Sequence, residues 1–261
     1  MRHREGNLAG GRLFFQAWHT EPARADVVIS HGYAEHSGRY AHVAAALTAA
    51  GCNVWALDHR GHGRSEGERG DIVSMEAVVA DLDLLVDAAA AEGRPVFLLG
   101  HSMGGAIALA YVQAHQDRLA GLALSAPAIL FPPELLALVD LPEIPELPLA
   151  DAVSTDPAVV QAYKDDPLVY AGPPAPTTLR ILMESEKLIA ALGELTLPIQ
   201  IMQGSGDLLV SPAALRAVVN GVASTDLTAR LWPELFHEIL NEPIKELVLG
   251  ELVRWIDERI P

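Results

Sequence analysis

Ser102 stands in the run Gly100-His101-Ser102-Met103-Gly104, followed by Gly105 and Ala106, directly behind the apolar stretch Val96–Leu99. A serine hydroxyl is a poor nucleophile at neutral pH until a base takes its proton and a third group orients that base. A strand that turns sharply through the serine into a helix lifts Oγ above the sheet edge, and glycines two residues before and after let neighbouring backbone pass closely. Nine of the ten histidines lie at or before position 115, and the one beyond is His237. In a doubly wound sheet carrying such a turn the order along the chain is nucleophile, acid, histidine, so His237 is the expected base. It follows the run Thr228–Trp232 in Trp232-Pro233-Glu234-Leu235-Phe236-His237. The acid is expected in Gln203-Gly204-Ser205-Gly206-Asp207, after the run Ile199–Gln203. The alternative, an acid after the preceding strand, fails because no carboxylate follows Ser125-Ala126-Pro127 until Glu134. Donors for an oxyanion are expected from the Met103 amide and, after the run Val27–Ser30, from the Tyr33 amide.

These residues need strand ends to carry them. Short apolar runs predict strands at Arg12–Trp18, Val27–Ser30, Asn53–Leu57, Val96–Leu99, Gly121–Ser125, Ile199–Gln203 and Thr228–Trp232. Between them, longer patterns predict helices at Arg39–Ala50, Met75–Glu92, Met103–His115, Pro212–Val219 and Pro243–Ile260. The alternation reads as an α/β fold with a mostly parallel, doubly wound sheet. Residues 128–195 break it: they hold ten of the 18 prolines and eleven acids against three bases, with no strand pattern. Helices are expected there at Pro133–Val139 and Thr178–Ala191, with Leu135, Leu136, Leu138, Val139, Ile181, Leu182, Leu188 and Ile189 covering an apolar space. The expected division is a core of residues 1–127 and 196–261 and a lid of residues 128–195 over the C-terminal ends of the strands, where such sheets bind ligands.

Composition removes several classes of function. Eighteen Lys and Arg against 34 Asp and Glu give a net charge of −16, which repels phosphate backbones and excludes nucleic acid as a partner. The single Cys52 precludes an intramolecular disulfide or a cysteine-built metal site and points to a reducing, cytoplasmic compartment. No apolar run approaches the ~18 residues of a membrane-spanning helix, and the N-terminal residues lack the apolar segment of a signal peptide.

Further segments carry a family resemblance. His31-Gly32, Glu35-His36-Ser37-Gly38-Arg39-Tyr40, Asp58-His59-Arg60-Gly61-His62-Gly63-Arg64-Ser65, Gly100–Gly105, Tyr163-Lys164-Asp165-Asp166-Pro167-Leu168 and Phe236-His237-Glu238 with Asn241-Glu242-Pro243 together resemble the monoacylglycerol lipases of the α/β-hydrolase fold. The resemblance implies Ser102, Asp207 and His237 as a catalytic triad, the Tyr33 and Met103 amides as the oxyanion hole, and a helical cap lining an acyl-chain tunnel. It also implies that Glu35, Arg39 and Tyr163 lie at the glycerol end, although a salt bridge for Glu35, a helix start for Arg39 and a packed position for Tyr163 explain those residues equally well. Position 34 is Ala where the family often has Gly.

The expected activity is cleavage of the ester of a monoacylglycerol through an acyl-enzyme, with no metal and no cofactor. The substrate is a small lipid, met at a membrane or micelle surface through the cap. A carboxylesterase or lysophospholipase of the same fold is the nearest alternative, and a catalytically silent binding protein a more distant one. Haloalkane or epoxide chemistry would call for Asp at position 102.

Overall fold

The computed structural model describes residues 1–137, 141 and 149–260. Its centre is one eight-stranded sheet: β1 (Arg2–Leu8), β2 (Leu13–His19), β3 (Ala25–Ser30), β4 (Cys52–Leu57), β5 (Val96–His101), β6 (Gly121–Ser125), β7 (Ile199–Gly204) and β8 (Leu227–Trp232). Their spatial order is β1-β2-β4-β3-β5-β6-β7-β8. β1 pairs antiparallel with β2, and β2 with β4; all other pairs are parallel. Every residue of β3 to β7 is buried, because helices cover both faces and leave no solvated side to alternate with. On one face lie α1 (Ala41–Ala49) and, near the C-terminus, α9 (Lys245–Asp257). The other carries α2 (Met75–Ala90), α3 (Met103–His115) and α8 (Ala213–Gly221).

The strand and helix expectations hold to within a few residues at each end, with two differences. β1 was not expected, since Arg2–Leu8 shows no apolar alternation. It is an edge strand whose ladder to β2 and whose Arg4 guanidinium, 4.9 Å from the Trp55 ring centre, supply what its side-chain pattern lacks. The second difference lies between β6 and β7. The helix expected at Thr178–Ala191 is α7 (Pro176–Met183) followed by tighter 3₁₀ turns over Glu184–Glu194. That excursion also holds α4 (Pro133–Leu136), α5 (Ala150–Val153) and α6 (Pro157–Asp165), with no strand among the described residues. Leu138 and Val139 lie outside the described residues. Of the other expected apolar positions, Leu182 is buried and Ile181, Leu188 and Ile189 pack on the core, whereas Leu136 is exposed.

Parallel strands bring their C-terminal ends to one edge, and that edge receives the chemistry-bearing loops. β3 runs into His31-Gly32-Tyr33, β5 into Ser102, β7 into Asp207 and β8 into His237. Because β3 and β5 are neighbours, the Tyr33 loop and the Ser102 turn are side by side. Ser102 itself has φ 52° and ψ −120°, a conformation that costs a non-glycine residue about 1–3 kcal/mol. Three glycines make the turn possible. A Cβ on Gly104 would meet the Ser30 carbonyl oxygen at 1.9 Å, one on Gly100 the Gly104 oxygen at 2.6 Å, and one on Gly105 the Pro127 Cα at 2.8 Å. The first contact is backbone on a buried strand, with no flexible side chain to give way. Gly104→Ala is therefore expected to cost roughly 3 kcal/mol or more, read as a lower urea midpoint; an unchanged midpoint would contradict this packing.

Candidate active site

His237 Nδ1 donates to Asp207 Oδ2 at 2.8 Å, and the Asp207 side chain is fully buried. Asp207 is fixed by three more donors: Gln203 Nε2 to Oδ2 at 2.8 Å, and the Leu209 and Val210 amides to Oδ1 at 2.9 and 3.0 Å. With the proton held on Nδ1, the Nε2 lone pair of His237 is free to act as a base. His237 and Ser102 line one cavity. No direct hydrogen bond joins them among the described residues, a contact that in free enzymes often closes only with substrate.

The two amides expected to receive an oxyanion are oriented by the carbonyls on their own peptide planes. The carbonyl of Ser102 accepts the Gly105, Ala106 and Ala128 amides at 2.8, 3.1 and 2.9 Å. The carbonyl of Gly32 accepts His31 Nδ1 at 2.7 Å, while His31 Nε2 accepts the His59 amide at 2.9 Å. Both peptides are trans, and in a trans peptide N–H and C=O point in opposite directions. Pinning the carbonyls therefore directs the Met103 and Tyr33 N–H groups away from those contacts, and neither has an acceptor among the described residues. Burial lowers the His31 pKa, which keeps the ring neutral and able to donate on one side and accept on the other.

The loop after Tyr33 is built around Glu35. Its Oε1 accepts the Gly32 amide at 2.6 Å and the Tyr40 hydroxyl at 2.7 Å, and its Oε2 accepts Arg39 at 2.9 Å. Burial pushes the Glu35 carboxyl up, but the Arg39 charge, with His101, His31 and the Tyr40 bond, outweighs it and holds the pKa at about 2. Arg39 also forms a two-pronged pair with Glu238, at 2.5 and 2.8 Å, and lies 4.7 Å from the centre of the Tyr163 ring. Glu35, Glu238 and Tyr163 face the cavity; Arg39 does not, but faces a smaller hollow behind them. Ala34 takes φ 67° while fully buried, the conformation that a glycine would reach without strain.

The cavity, together with the solvent-open space at its mouth, spans about 760 Å³. Gly32, Tyr33, Glu35, His101, Ser102, His237 and Glu238 form one part of its wall. The helical excursion supplies most of the rest with Phe131, Leu135, Leu149, Val153, Leu179, Leu182 and Met183. Buried Glu242 ties this excursion to the His237 loop: it accepts the Phe236 amide at 2.7 Å and the Ser154 hydroxyl at 3.1 Å, and the Glu238 amide donates to the Val153 carbonyl at 2.7 Å. Among the described residues no cluster of His, Cys, Asp and Glu could hold a metal ion, and no helix is long and apolar enough to cross a membrane.

Strand order, the Ser102 turn and a histidine–carboxylate pair at one sheet edge define an α/β-hydrolase. Residues 21–244 match the family described as serine aminopeptidase, S33. The chain is 40% identical to the monoacylglycerol lipase of Mycolicibacterium smegmatis, with 97% of this chain and 96% of that protein aligned. It is 34% identical to human monoglyceride lipase over 97% of this chain and 89% of that protein. A crystal structure of the monoacylglycerol lipase of Paleococcus ferrophilus superposes with a TM-score of 0.84 at 27% identity, covering 95% of this chain and 99% of the other. The chain belongs to the monoacylglycerol lipase family of the α/β-hydrolases.

Burial works against a charged His237, but the Asp207 charge and hydrogen bond, with Glu238 and Glu35, raise its pKa above 6.5. A base must be unprotonated, so kcat/KM is expected to fall as the pH drops through a value above 6.5. Asp207→Asn removes the main raising cause. It should move that limb to lower pH and reduce kcat on the order of 10⁴-fold; a limb that stays in place would dissociate it from His237.

Proposed function

We propose that the protein hydrolyses monoacylglycerols to a free fatty acid and glycerol, with Ser102 as nucleophile, His237 as base and Asp207 as its orienting acid. The observation that carries this reading is a single cavity with Ser102 and His237 at a wall that is polar on one side and apolar on the other. His237 Nε2 takes the Ser102 proton as Oγ attacks the ester carbonyl, and the Tyr33 and Met103 amides receive the negative oxygen. The C–O bond then breaks and glycerol leaves with the proton from His237. Water, deprotonated by the same histidine, releases the acid and restores Ser102.

The leaving alcohol must lie within reach of His237, and Glu238 is the next residue, so the polar wall takes glycerol. The acyl chain lies against Phe131, Leu135, Leu179 and Leu182, where burial is worth about 0.8 kcal/mol per CH₂. Residues 128–195 serve as the cap. Leu136 and Leu208, exposed beside Leu135 and Leu209 of the cavity wall, offer apolar contact with a micelle or membrane surface from which substrate is drawn.

Ser102→Ala should lower kcat by about 10⁴-fold or more with an unchanged melting temperature. In matched-chain dispersions, monoacylglycerol is expected to exceed triacylglycerol by about a hundredfold in kcat/KM. Two further chains would have to lie against the charged side chains of Glu35 and Glu238 on the polar wall, forgoing burial worth about 0.8 kcal/mol per CH₂. Equal rates on the two lipids would remove the monoacylglycerol reading and leave an open-pocket lipase.

A further inference from the structure

The charges around the leaving-group side of the cavity do not balance. Both oxygens of Glu238 accept N–H donors, from Arg39 and from Asn241 Nδ2 at 2.8 Å. Both oxygens of Glu35 accept donors as well. Neither carboxylate needs a proton of its own, and both are ionised. One guanidinium, Arg39, stands against the two of them, and it sits behind them, facing the second hollow rather than the cavity. His101 also lines the cavity, and burial with the neighbouring His237 lowers its pKa to about 4, leaving it neutral. No lysine or arginine lines the cavity among the described residues. The segment 138–148 contains three acids and no base, so it has no cation to contribute. The side of the cavity that takes the alcohol therefore carries a net negative charge, on carboxylates that are themselves buried.

Resting on the reading of Ser102 and His237 above, we infer that Glu238, together with Glu35, selects the alcohol half of the substrate by charge. Esters of cationic alcohols, such as fatty acylcholines, are further substrates, and esters whose alcohol bears a phosphate are excluded. Bond cleavage and water consumption are those of the monoacylglycerol reaction; the alcohol alone changes. A positive charge beside the scissile bond is attracted by the one negative charge that Arg39 leaves unbalanced on the two carboxylates, and a phosphate is repelled by it. At contact distances of several ångströms in an interior of effective dielectric near 20, each unit of charge is worth about tenfold to a hundredfold in rate.

The test compares kcat/KM for four dodecanoyl esters: of glycerol, of choline, of 3,3-dimethylbutanol (the uncharged carbon isostere of choline) and of glycerol 3-phosphate. The choline ester is expected to exceed its isostere, and the glycerol ester to exceed the phosphate ester, by at least tenfold in each comparison. Glu238→Gln, which removes one negative charge, should narrow both gaps, whereas Glu238→Asp, which keeps it, should preserve them. The wild-type comparison stands by itself if either variant folds poorly. Equal rates for the choline ester and its isostere would overturn the inference, as would gaps of the same size in Glu238→Gln. Failure to hydrolyse the glycerol ester while the other neutral ester is cleaved would instead reject the monoacylglycerol reading, with the charge ordering still readable.

Discussion

A serine held at φ 52° and ψ −120° between a buried strand and a buried helix sets the terms for everything around it. The strain is sustained because both sides of the turn are over-determined: the Ser102 amide donates to Ser125 at 3.0 Å, and its carbonyl accepts three amides. The same bonds that force the turn aim the Met103 amide away from them. Closing the turn requires Gly104 to lie against the end of β3, and that proximity brings the Tyr33 loop beside Ser102. Strain, close backbone approach and the two directed amides are thus one constraint seen from different atoms.

Three buried glutamates then divide the work around the site. Glu35 holds the Gly32 amide and so shapes the loop that presents Tyr33. Glu238 follows His237 and is paired by Arg39. Glu242 joins the His237 loop to the helical excursion through Phe236, Ser154 and Thr155. A buried carboxylate is tolerated when donors saturate it, and each of these is saturated. Arg39 is the shared counter-ion of the first two. Its stacking on Tyr163 of α6 extends the network into the excursion, so the polar wall and the apolar wall of the cavity are joined.

The architecture was legible because the parallel strands, covered on both faces, are nearly continuous apolar runs. β5 and β6 illustrate this, as does α3, whose small residues mark a helix packed tightly on the sheet. The positions of Ser102, Asp207 and His237 after strand ends were legible because the apolar runs before them mark those strands. β1 was not, since an edge strand owes its place to ladder bonds and to Arg4, which leave no periodicity. The break from α7 into 3₁₀ turns was hidden for a similar reason: apolar spacing over Thr178–Ala191 does not distinguish the two geometries. His31 and Glu242 were missed as participants. They act on backbone groups, and a backbone contact has no side-chain partner to be read at a fixed spacing. The signal that could have singled out Glu238 is its adjacency to His237, beside which it lines the same cavity.

The central claim is that Ser102 carries the acyl group during turnover. Acid-quenching the enzyme while it hydrolyses a long-chain monoacylglycerol, followed by peptide mass analysis, tests it directly. The account predicts the acyl mass on the peptide containing Ser102, in an amount that falls to the unreacted baseline once substrate is exhausted. Acyl mass on a different residue, with none on the peptide containing Ser102, would contradict it.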